Sequence, residues 1–111
     1  MALHESQSLI VEMQLCRGPA FLDHALPLIR GAFGDDPAFD PDNMRRLVGR
    51  VRRGLIRVDA DEATYPLHVI LRHRLEKALL SGDLAVADLP GAWNDTMQDL
   101  VGIRPETDRE G

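Results

Sequence analysis

From Asp61 to Leu80 the chain repeats an apolar residue every three or four positions: Leu67, Ile70, Leu71, Leu75, Ala78 and Leu79. At 3.6 residues per turn this spacing winds them onto one side of an α-helix, a face that must be buried against a partner. Ser81-Gly82 supplies the stop, and Pro66 falls in the first turns, where its missing N–H costs least. The other segments follow the same rule. Residues 4–17 contain no Gly or Pro and place Leu9, Ile10, Met13 and Cys16 at helical spacing before Gly18-Pro19 ends the run. A second stretch, residues 20–33, carries Phe21, Leu22, Ala25, Leu28, Ile29 and Ala32 on one side, with Pro27 inside it predicting a kink or a shortened helix.

After the loop Gly34-Asp35-Asp36-Pro37, the pair Asp40-Pro41 reads as an N-cap followed by proline at the first helical position, opening a short helix to about Val51. Gly54-Leu55-Ile56-Arg57-Val58 suits a brief strand or an extended connector. Asp88-Leu89-Pro90 opens a last helix with Trp93, Met97 and Leu100, closed by Gly102, and residues 104–111 are polar, as in a flexible tail. The expectation is an all-α fold of about five helices, residues 1–111 forming one helical segment.

Composition narrows the function classes. With 44% apolar and 28% charged residues in 111, the chain has a globular balance and the length of one domain or less. No apolar run approaches the roughly 20 residues that cross a bilayer, and the first residues show no signal peptide. A single cysteine excludes a disulfide framework and fits a reducing cytoplasm. The net charge of −5 argues against nucleic acid as a partner, and the arginines between Arg45 and Arg57 read as a solvated helix face.

The residues that carry chemistry do not form a complete active site by spacing alone. Glu5, Ser8 and Glu12 share one face of the first helix, where a carboxylate either favours the helix N-terminus or ligates a metal. His4, His24, His68 and His73 include no pair three or four apart; His68 and His73 lie about 140° apart around a straight helix and cannot grip one ion. There is no HExxH, no cysteine cluster and no phosphate-binding glycine loop. Cys16, on an apolar stripe, reads as a small core residue rather than a nucleophile.

Several longer strings add a second line of reasoning. His4-Glu5-Ser6-Gln7-Ser8 resembles the HESQS motif of the carboxypeptidase Taq family of zinc metallocarboxypeptidases. Ile56-Arg57-Val58-Asp59-Ala60-Asp61 resembles that family's IRxxAD motif, and the run from Asp61 to Arg72 resembles the helix that follows it. Leu89-Pro90-Gly91-Ala92-Trp93-Asn94 is similar to its LPxAWN segment. Together these span nearly the whole chain in the family's order.

The resemblance implies a segment of a larger helical metallopeptidase that removes C-terminal amino acids from peptides. The family's HExxH would lie before Met1, and its GxxQDxHW motif would begin near Gly111. By resemblance Glu5 is the third zinc ligand, beside two histidines outside this sequence, and the chain alone is expected to be inactive and to hold zinc weakly. Arg57 is the implied reader of the substrate's terminal carboxylate, the alternative being an ion pair with Asp59 or Asp61. Asp61 alternatively caps the long helix. Tyr65 and His68 either help polarise the scissile carbonyl or serve packing and a supporting hydrogen bond. Arg72 reads as a surface or bridging residue. The competing function is a small helical module that associates with itself through apolar faces, and a homo-oligomer is expected on either reading.

Overall fold

Two kinds of local signal shape the chain: proline and aspartate open its helices, and glycine closes them. The computed structural model describes residues 2–107, 109 and 110, the first three by their backbone alone. Among the described residues there are five α-helices and no strand: α1 (Ala2–Leu9), α2 (Pro19–Phe33), α3 (Pro41–Val48), α4 (Tyr65–Ser81) and α5 (Leu89–Leu100). The all-α reading therefore holds. The chain divides into two compact units, Met1–Arg50 and Val51–Gly111.

In the first unit α1 passes directly into a π-helical stretch, Ile10–Leu15, marked by the Cys16 N–H donating to the Val11 carbonyl five residues back at 2.9 Å. This wider winding departs from the 3.6-residue repeat and redistributes the apolar stripe. Met13 is buried and Cys16 half-buried, whereas Ile10, Val11 and Leu15 are exposed. Helix α2 runs unbroken through Pro27 and buries Leu22 and Leu26. Asp40 caps α3 as its sequence indicates, accepting from the Asp42 and Asn43 N–H groups at 3.0 and 3.2 Å. Arg45 on α3 joins Asp42 on its own helix to Asp23 on α2.

The second unit is a pair of packed helices with a connector in front. Leu71 and Leu75 of α4 meet Met97 of α5 and Val101 just beyond it, with Leu55, Leu67, Leu89 and Trp93 packed around them. Gly82 stops α4 with φ +80°, a conformation open to glycine at little cost. The connector before the 3₁₀ turn Arg57–Asp59 is extended, not a strand. Its Arg53 guanidinium donates to the Gly102 carbonyl at 3.4 Å, at the end of α5, where a cation complements the helix dipole. A Cβ on Gly102 would come within 3.1 Å of that guanidinium, and its φ is +76°, so glycine is required there twice over.

Candidate functional site

The IRxxAD string folds into a clasped loop. The long helix begins at Tyr65, later than the Asp61 start expected from its pattern, because the Asp61 side chain organises the turn before it. Its Oδ1 accepts the N–H groups of Ala63 and Thr64, both at 2.9 Å, and its Oδ2 accepts the Arg52 N–H at 2.8 Å. One buried carboxylate thus ties the connector to the helix entrance and closes the loop carrying Arg57. Burial by itself would raise the Asp61 carboxyl, but these N–H donors outweigh it and hold the group below the usual carboxylate range.

Arg57 is exposed and lies over the Tyr65 ring, 5.9 Å from its centroid. It makes no ion pair with Asp59 or Asp61 among the described residues, and the Asp61 oxygens already face backbone N–H groups. Its guanidinium carries no ion pair among the described residues.

Tyr65, His68 and Arg72 follow one another at three- and four-residue steps along one face of α4. His68 is fully buried, and neither ring nitrogen finds a hydrogen-bond partner among the described residues; the Gly54 backbone approaches the ring but falls outside bonding geometry. Burial, then the charges of Arg72 and Arg57, lower the His68 pKa, so its imidazole is neutral at pH 7. Arg72 is half-buried rather than a surface residue. It reaches back one turn to donate to the His68 carbonyl at 2.9 Å and stacks on Trp93, 4.8 Å from the ring centroid. Burial and the nearby Arg57 charge lower its pKa, though a guanidinium remains cationic at neutral pH. Of the two readings open to Arg72 in the sequence, surface or bridging, the bridging one fits, since it joins the His68 carbonyl to the Trp93 ring; the stacking on Trp93, 21 residues on, had no local signal.

Glu5 is exposed on α1, with Ser8 one turn on donating its hydroxyl to the Glu5 carbonyl at 2.8 Å. Among the described residues no three His, Cys, Asp or Glu side chains converge on a point that would hold a metal ion. The His4 side chain lies outside the described residues.

The family model of carboxypeptidase Taq (M32) metallopeptidase matches residues 1–111. Carboxypeptidase 1 of Bacillus subtilis is 42% identical over 115 residues, covering 100% of this chain and 22% of the relative. Metallocarboxypeptidase 1 of Trypanosoma cruzi superposes with a TM-score of 0.84 at 46% identity, covering 91% of this chain and 21% of that one. A carboxypeptidase structure from Pyrococcus furiosus gives a TM-score of 0.88 at 35% identity, covering 97% and 22%. The chain belongs to the carboxypeptidase Taq (M32) metallopeptidase family. It spans about 22% of the length of the curated relatives it matches. No helix among the described residues is long and apolar enough to cross a membrane.

Proposed function

We propose that this chain is a segment of a cytoplasmic, zinc-dependent carboxypeptidase that removes C-terminal amino acids from peptides, and that it supplies the carboxylate-reading wall of the cleft and one metal ligand. Arg57 reads the terminal carboxylate. The observation that carries this reading is the free Arg57 guanidinium, supported on Tyr65 and presented by a loop that Asp61 clasps at both ends. Exopeptidase specificity needs a fixed cation for that terminal charge, and a planar guanidinium meets a carboxylate with two parallel hydrogen bonds.

Tyr65, whose ring lies under Arg57, is the candidate O–H donor to the scissile carbonyl. Of the two roles open to His68, burial and neutrality favour support: the imidazole holds up the Tyr65–Arg72 face without adding charge to it. Glu5 is the third metal ligand in the complete enzyme. Zinc, when bound, supplies a water of lowered pKa.

The test uses the longer reading frame that joins this chain to an HExxH segment. Arg57→Met should raise KM for a blocked dipeptide with a free C-terminus by about 30-fold or more, the scale of losing one buried charge-assisted contact. Turnover of the C-terminal amide should stay unchanged. If acid and amide suffer equally, Arg57 does not read the carboxylate. Glu5→Ala should empty the metal site in the same protein, and full zinc content in that variant would remove Glu5 from the ligand set.

A further inference from the structure

Arg72 calls for a partner that the fold does not give it. Its guanidinium carries five N–H donors, and one of them meets the His68 carbonyl while a flat face rests on Trp93. It is half-buried, and among the described residues it forms no ion pair. Asp61, the acid that acts on neighbouring His68, has both oxygens turned to backbone N–H groups. A desolvated cation with no counterion is costly, and a second cation close by adds to the cost.

Arg57 is that second cation. It lies over Tyr65, while Arg72 reaches back along the helix to His68, about 4.5 Å of axial rise from Tyr65. Each guanidinium is held on an aromatic ring, so its direction is restrained before any ligand arrives. Both cations act on the buried His68 ring, which burial keeps neutral and which so adds no charge to theirs. We infer that Arg57 and Arg72 are the two arms of one carboxylate-binding site, with Arg72, braced on Trp93, the second guanidinium that grips a peptide's terminal carboxylate. This rests on the reading of Arg57 given above and adds a residue to it.

Trp93 is the sole tryptophan, and Arg72 lies on its face, so the site contains its own reporter. The 111-residue chain is titrated with N-acetylglycine and, separately, with N-acetylglycinamide while Trp93 emission is followed. The acid should give a saturable change that 1 M NaCl weakens, and the amide should give none. Arg72→Gln should abolish the response, and Arg57→Gln should weaken binding at least tenfold. Because Arg72→Gln removes a packing contact, the unsubstituted chain is also followed by the arginine Nε–H resonances. Both Arg57 and Arg72 should shift with the acid at the same midpoint.

A shift at Arg57 alone, an equal response to the amide, or no response at all overturns the two-armed site. None of these outcomes bears on the acid-against-amide selectivity of the longer enzyme, which decides the Arg57 reading separately.

Discussion

Asp61 and His68 are buried titratable groups of opposite character whose pKa values are both depressed, and both tie the second unit to pH in the same direction. Asp61 is ionised and held by N–H donors, so its contribution is complete above the unfolded value near 3.8 and disappears as pH falls through its lower folded value. His68 is kept neutral, so below about 6.5 the unfolded chain binds a proton that the folded chain refuses, and stability declines until the folded imidazole also protonates. Urea unfolding followed by Trp93 fluorescence should therefore show a midpoint that falls as pH drops below 6.5 and falls again below 3.8. His68→Gln should flatten the first decline only. Asp61→Asn should flatten the second and cost about 1.5–3 kcal/mol at neutral pH, because an amide nitrogen then faces the Arg52 N–H. An undiminished decline in His68→Gln would clear the imidazole of responsibility. The role of Asp61 was only half legible in the sequence. Capping was among its readings, but its bond to Arg52, nine residues earlier, depends on the path of the connector and leaves no periodic trace.

At the scale of elements, the helices that read most clearly are those whose ends are chemically marked. Asp40-Pro41, Gly82 and Gly102 fall where capping rules put them, because each satisfies end groups that a helix cannot satisfy internally. The π-helical stretch Ile10–Leu15 was invisible, since an apolar run such as Leu9, Ile10 and Met13 fits a 3.6-residue repeat as well as a wider one. Of the kink and the shortening that Pro27 led one to expect, the shortening does not occur: α2 continues to Phe33, and the packing of Leu22 and Leu26 in the turns before the proline offsets one missing backbone bond. Gly102 gives the sharpest element-level prediction. Gly102→Ala must place a Cβ at positive φ and against the Arg53 guanidinium, and should destabilise the second unit by about 1–2 kcal/mol. Arg53→Ala should relieve the clash but not the backbone strain, so the double variant should recover part of the loss in urea unfolding. Full additivity of the two losses would show that the approach of Arg53 to Gly102 carries no energy.

Across the whole molecule, apolar surface left uncovered is the dominant unsolved term. Phe33, Val58, Leu80 and Val86 are 77–83% exposed, and Leu28, Leu47 and Val51 are also open to solvent. Residues of this size return roughly 1.5–3 kcal/mol each when buried, so water is a poor long-term neighbour for them. The relatives are about five times longer, which gives such faces other parts of a chain to meet. A 111-residue chain by itself has a second copy as its nearest apolar partner. Light scattering coupled to size exclusion should therefore report a mass above 12.4 kDa at about 100 μM. The double variant Leu80→Glu, Val86→Glu should return the mass toward the monomer while leaving helical circular dichroism intact, because neither side chain belongs to the Leu71–Met97 core. A sharp monomer in the unsubstituted chain would mean that these side chains are tolerated singly by solvent, and the self-associating reading of the chain would fall with it.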